Sequence, residues 1–342
     1  MTTQPFQLLS DKYLEGFRSQ YLPQILDMLL TEDEAVLLER LPASAEEVAQ
    51  VTGQDPASVS DTLSRLCETG LVLREEGDGE PKYGLDKDIL DSLLQDRRIR
   101  SRLSDPEDLD RFLGLFRDLF ENELKHDEKW SKVIIPQARV IPIERTITIK
   151  WGEVIPQERL STVLEEARVI ARAECTCRII EKNCDHPTDV CILLNDFAEN
   201  FIERGAAMRI TKEVATGILK RTEDLGLVHQ LNNTDSEGYE FICSCCSCCC
   251  MVLRAMTTLG KEDICYQSRY LARVNHDACA ACGACVERCQ FAAVRLDSDH
   301  AEVDDTRCFG CGLCASGCPS EAIEMVCIRE PGHVTERLQM TI

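Results

Sequence analysis

The stretch "CAACGACVERC" (279–289) sets Cys279, Cys282, Cys285 and Cys289 at the spacing C-x2-C-x2-C-x3-C. "CFGCGLCASGCP" (308–319) repeats that spacing at Cys308, Cys311, Cys314 and Cys318. Three such cysteines in a tight loop reach three irons of one cubane cluster, while backbone N–H groups point at its sulfides. Gly283, Gly310 and Gly312 give these loops the backbone freedom they need. Between the motifs, "FAAVRLDSDHAEVD" fits a hairpin. Zinc knuckles are a remote alternative, because eight cysteines stand at both spacings without a histidine.

The repeat resembles the bacterial ferredoxins that carry two [4Fe-4S] clusters. That resemblance implies a pseudo-twofold domain in which each motif lends its fourth cysteine to the other cluster. Cys279, Cys282 and Cys285 would then pair with Cys318, and Cys308, Cys311 and Cys314 with Cys289. One departure stands out: Pro319 follows Cys318, but Gln290 follows Cys289. Many ferredoxins have proline in both places.

The rest of the chain holds thirteen of its 21 cysteines. No basic stretch followed by an apolar core opens it, and no run approaches the roughly 18 apolar residues needed to cross a bilayer. We therefore expect a soluble cytoplasmic protein without membrane insertion. In a reducing compartment clustered cysteines indicate metal or iron–sulfur ligation rather than disulfides. The net charge of −22 argues against nucleic acid as the main partner and suits docking to a basic patch on another protein.

Ten cysteines lie between residues 175 and 250. "AECTCRIIEKNCDHPTDVC" carries Cys175, Cys177, Cys184 and Cys191, and "FICSCCSCCC" places six between Cys243 and Cys250. If Ser247 caps a helix over "CCCMVLRAMTTLG", then Cys243, Cys245, Cys246 and Cys248 fall in a loop able to wrap a cluster. We expect an additional site from both groups, with Cys175, Cys177, Cys184, Cys191, Cys243, Cys245, Cys246 and Cys248 as candidates and the remaining thiols as packing. An iron–sulfur cluster ranks ahead of zinc, which needs only four ligands and usually comes as two C-x2-4-C pairs. The "CxCR" motif with a later cysteine-dense run resembles a broad class of ferredoxin-fused iron–sulfur proteins in anaerobic bacteria and archaea. The Cys-Cys dipeptides also resemble, more distantly, the noncubane cluster motifs of heterodisulfide reductases. Arg178 could donate to a cluster sulfur, although a surface arginine is the plainer reading. His186 reads as a loop histidine without a metal role, Cys67 as a small buried hydrophobe, and Cys327 as strand core.

At the other end, Thr31 with Glu34 and Ser44 with Glu47 have capping-box spacing, and Asp55-Pro56 offers a third helix start. "LVLREEGDGEPKYGL" then reads as two strands joined by a turn. This order resembles the winged helix-turn-helix of MarR-like and ArsR-like regulators. In such domains the third helix would enter the major groove and the wing, here Arg74 to Lys82, would lie along the backbone. Residues 1–132 hold 16 Lys or Arg against 29 Asp or Glu, a net of −13, so DNA is not expected and docking to protein is. Ser104 and Glu107 open a long helix with an apolar stripe from Leu109 to Leu124.

The fold expected is α+β and multidomain: winged-helix-like 1–103, long helix and extended linker 104–150, cysteine-rich metal-binding 151–270, two-cluster ferredoxin 271–330 and a tail 331–342. The function expected is electron transfer, as a subunit or partner of a redox enzyme in anaerobic metabolism, because no phosphate-loop, dinucleotide or radical-SAM motif occurs. The rivals are a redox-sensing transcriptional regulator and a reductase with an open iron in the middle site.

Overall fold

The structure is a computed structural model that describes residues 3–75, 80–85, 93, 99, 102, 103, 105–127, 138–147, 154–232, 239–259 and 265–335. It divides into two compact units, residues 1–134 with 203–206 and residues 135–202 with 207–342.

In the first unit, three helices, Glu32–Glu39, Ala45–Thr52 and Pro56–Glu68, meet a three-stranded antiparallel sheet of β1 (Ala43–Ser44), β2 (Val72–Glu75) and β3 (Lys82–Leu85) in the order β1-β3-β2. Local chemistry fixes where these helices start. The Glu34 and Glu47 N–H groups donate to the hydroxyls of Thr31 and Ser44, each at 3.2 Å. The two carboxylates return the contact to the cap N–H groups, each at 2.8 Å. Asp55 caps the third helix by accepting from Ser58 N–H at 3.0 Å, and that helix buries Val59, Leu63 and Leu66. Cys67 is only half-buried on it, a correction to its reading as core, and burial pushes its thiol up.

The long helix runs Pro106–Asn122 and buries Phe112, Leu113, Phe116 and Leu119. Its cap is Asp105, which accepts from Glu107 N–H at 2.8 Å, and not Ser104. Pro106 explains the difference, since a proline at the first helical position leaves the preceding residue as the cap. The wing turn at 76–79 and the linker segments 128–137 and 148–153 lie outside the described residues.

The second unit is organised by a seven-stranded sheet. Its strands are β4 (Ala138–Ile141), β5 (Ile170–Ala173), β6 (Cys191–Leu194), β7 (Ala207–Arg209), β8 (Val228–Asn232), β9 (Phe241–Cys245) and β10 (Cys265–Tyr266). Their order is β10-β4-β8-β9-β6-β5-β7, antiparallel except for the β10–β4 pair. The first of these strands comes from the stretch "KVIIPQARVIPIERTITIKWGEVIP", whose β-branched residues and prolines read as extended chain or short strands, and all four of its residues are buried. Helices Leu160–Glu166 and Lys212–Asp224 cover the sheet through Leu160, Val163, Leu164, Ile218 and Leu219, packed on Ile192, Leu231 and Ile242. Both faces of β8 are buried, although three of its five residues, His229, Gln230 and Asn232, are polar.

Two ribbons follow. β11 (Tyr270–Val274) pairs antiparallel with β14 (Ile323–Cys327), and β12 (Val294–Leu296) forms the expected hairpin with β13 (Ala301–Val303). On β14, Ile323 and Met325 are buried, whereas Cys327 is half-buried and donates to the Arg329 carbonyl at 3.5 Å.

Arg269, just before β11, reaches Glu158 at 3.1 Å, and both side chains are almost wholly buried. Removing one partner of such a pair leaves an uncompensated buried charge, which costs about 3–5 kcal/mol. Glu158→Ala should therefore lower the stability of this unit by about that amount, read as a fall in the denaturation midpoint of the anaerobic protein. An unchanged midpoint would contradict the assignment.

Candidate metal centres

The two motifs have matching backbones, offset by 29 residues. Left-handed conformations recur at Ala281, Gly283 and Ala292 and again at Gly310, Gly312 and Glu321. Gly283 and Gly312 open the short helices Ala284–Arg288 and Leu313–Ser316. The Ala293 N–H donates to Cys289 Sγ at 3.2 Å and the Ala322 N–H donates to Cys318 Sγ at 3.3 Å.

Two cavities result. Cys279, Cys282, Cys285 and Cys318 line the first, and Cys308, Cys311, Cys314 and Cys289 line the second. Burial pushes the Cys311 thiol up to about 12, and raises Cys285, Cys308 and Cys314 as well. At Cys318 burial is outweighed by hydrogen bonds from Ser320 and from nearby N–H groups, which favour the thiolate. Four sulfurs around one cavity, with N–H groups aimed at sulfur, fit a cubane cluster.

The ten middle cysteines separate into two groups. The Sγ atoms of Cys184, Cys246, Cys248 and Cys249 all lie within 4.8 Å of one another. Cys184 is 3.8 Å from Cys246 and 3.6 Å from Cys249. The last three sit in a tight turn closed by the Cys250 N–H donating to the Cys246 carbonyl at 3.0 Å, and Asn183 Nδ2 holds the Cys248 carbonyl at 3.0 Å. Burial raises the Cys248 thiol and pushes Cys249 up to about 12. At Cys184 burial is overcome by the His186 N–H and by the three neighbouring thiols, which favour the thiolate.

The other six form a closed ring of thiol contacts that runs Cys175, Cys177, Cys250, Cys245, Cys243, Cys191 and back to Cys175. Sheet register explains it. Alternation puts Cys243 and Cys245 on one face of β9, and the pairing of Ile192 with Ile242 brings Cys191 beside Cys243. Directions of titration alternate around the ring. Cys175, Cys250 and Cys243, the last at about 6, are held below the ordinary thiol value because each accepts from two neighbouring thiols. Cys177, Cys245 and Cys191 are raised, first by their two neighbouring thiols and then by burial.

Several expectations change here. Cys243 and Cys245 lie in a strand, not a loop, because their alternation with Ile242 and Ser244 matches the pleat. The helix after the run begins at Met251. Ser247 does not cap it: its N–H and its hydroxyl both donate to Gln290 Oε1 at 2.8 Å. Cys249 and Cys250, outside the expected set, complete the two groups.

Arg178 is buried, not on the surface, with 3% of its area exposed. Its Nη1 and Nη2 donate to the carbonyls of Pro187 at 2.9 Å and Ser244 at 2.5 Å. Burial opposes its charge, but the sulfurs of Cys175, Cys246 and Cys245 outweigh this and raise its pKa. The arginine thus stands beside both thiol groups as a buried counter-charge.

Gln290 shows why proline is absent after Cys289. Its Oε1 accepts from Ser247, between Cys246 and Cys248, and its Nε2 donates to the Gly226 carbonyl at 2.9 Å. Arg288 adds Nη1 and Nη2 bonds to the carbonyls of Asp224 at 3.1 Å and Glu223 at 2.7 Å. A proline could make none of the Gln290 contacts. The departure from the ferredoxin pattern was visible in the sequence, but its partner was not.

Residues 272–325 match the family model of the 4Fe-4S dicluster domain, which spans both motifs and the hairpin. No curated protein and no solved structure matches the chain. Among the described residues, no helix is long and apolar enough to cross a membrane. The chain therefore carries an iron–sulfur domain of the 4Fe-4S dicluster type, in a setting of further clustered thiols.

A Cβ at Gly310 would lie 2.1 Å from the Tyr270 carbonyl oxygen, at a left-handed φ of +69°. Gly310→Ala should displace the Cys308–Cys314 loop and lower iron by about four per chain, with the Cys279 cavity still loaded. Full iron content in this variant would overturn that assignment.

Proposed function

We propose that this chain is an iron–sulfur electron-transfer protein that serves as a subunit or partner of a redox enzyme. One [4Fe-4S] cluster would be held by Cys279, Cys282, Cys285 and Cys318, and the other by Cys308, Cys311, Cys314 and Cys289. A further metal centre would be held by Cys184, Cys246, Cys248 and Cys249. Bound clusters of this type supply one-electron redox capacity.

The observation that carries the reading is the link made by Gln290. Its neighbour Cys289 lines one ferredoxin cavity, and its side chain grips the turn that holds Cys246, Cys248 and Cys249. A bonded route thus joins a dicluster ligand to the four-thiol group, and Arg288 keeps the two parts from sliding. A ferredoxin fused by a flexible linker would have no use for these contacts.

The helix–strand order of residues 32–85 supports a winged-helix-type module. Its acidic charge supports docking to a basic surface on another protein rather than to DNA, where phosphate contacts need the opposite sign. The donor and acceptor of electrons are assigned to a partner.

Full-length protein purified without oxygen should contain about eight irons and eight labile sulfides from residues 272–325. A third cubane on the four-thiol group adds about four irons to these, and a structural zinc there adds one zinc instead. Iron well below eight would sink the electron-transfer reading.

A further inference from the structure

The six-thiol ring is separate from the four-thiol group. Register sets Cys191 opposite Cys243 across β6 and β9 and beside Ala173 at the end of β5, just before Cys175. Each of the six has two others of the ring as side-chain neighbours, none of them Cys184, Cys246, Cys248 or Cys249. Four pieces of the fold build it. Cys175 and Cys177 stand just beyond β5, Cys191 opens β6, Cys243 and Cys245 lie on β9, and Cys250 precedes the helix Met251–Leu259. Packing alone does not account for it. Buried cysteine normally behaves as an isolated small hydrophobe, and six converging thiols bring sulfur against sulfur where apolar contact is available.

We propose that Cys175, Cys177, Cys191, Cys243, Cys245 and Cys250 form a second middle-domain metal site, one that takes two or more thiophilic ions bridged by sulfur. The coordination count requires more than one ion. A tetrahedral thiolate-bound metal accepts four sulfurs, so six exceed what a single ion takes. Two tetrahedral ions offer eight positions, and six thiolates fill them when two thiolates bridge. An iron cluster reaches the same end with inorganic sulfide as the bridge.

The surroundings suit such a centre. Six thiolates and two divalent ions carry a net negative charge, and buried Arg178 lies against Cys175 and Cys245. Its Nε has no hydrogen-bond partner among the described residues. The Leu253 N–H at the start of the following helix points at the Cys250 sulfur. The proposal does not depend on the electron-transfer reading, because a zinc–thiolate centre would satisfy it equally.

The test uses crystals of the full chain grown without oxygen, with anomalous difference density recorded at the iron and zinc edges. At least two metal peaks within the ring are expected. Iron peaks with labile sulfide in excess of the dicluster and four-thiol sites identify an iron–sulfur centre, and zinc peaks identify a zinc–thiolate one. A single peak, no peak, or disulfides among the six would overturn the proposal. In solution, the double substitution Cys177→Ser with Cys245→Ser should remove about two or more metal ions per chain, while the about eight irons of residues 272–325 stay in place. Metal content equal to wild type in this variant would also overturn it, as would loss of those eight irons with no other metal lost.

Discussion

The register of β9 against its two neighbours is the constraint on which the middle of the molecule depends. Ile242 faces Ile192 on one side and Leu231 on the other, and Cys243 faces Gln230. A slip of one residue would turn Cys243 and Cys245 to the opposite face. The ring would lose both, and Ser244 would leave its hydrogen bonds to Thr222, at 3.1 Å, and to His229. Buried Ile192, Leu231 and Ile242 hold the register through the apolar core, so a hydrophobic pattern fixes where the sulfur goes.

Charge compensation is the second theme. Thiolate-rich sites are expensive to bury, and the fold answers with a buried arginine. Arg178 stands beside both thiol groups, while Arg269 is committed to Glu158 behind β11. Placed in low dielectric, a fixed guanidinium interacts far more strongly than a surface one, and it also orients the carbonyls of Pro187 and Ser244 around the cysteine-bearing segments.

The dicluster domain was legible from spacing alone, because cluster geometry demands cysteines close in sequence. The exchange of the fourth cysteine came from the resemblance, and the cavities place Cys318 with the first motif and Cys289 with the second. Capping at Thr31, Ser44 and Asp55 was legible because it is local. The division of the middle cysteines was not. It depends on strand pairing across the 51 residues between Cys191 and Cys243, and the run itself carries only a weak period-two signal at Cys243 and Cys245. Arg178 was misread for a related reason: nothing in "CTCRIIE" says that its carbonyl partners lie at Pro187 and Ser244.

Electron transfer requires residues 272–325 to hold redox-active clusters within the intact chain. The direct measurement is a reductive titration of the full-length protein under anaerobic conditions, followed by electron paramagnetic resonance. We predict that the dicluster domain takes up about two electrons per chain, one for each [4Fe-4S] cluster. A chain that holds its metal but accepts no electrons, as a zinc-loaded scaffold would, contradicts the account.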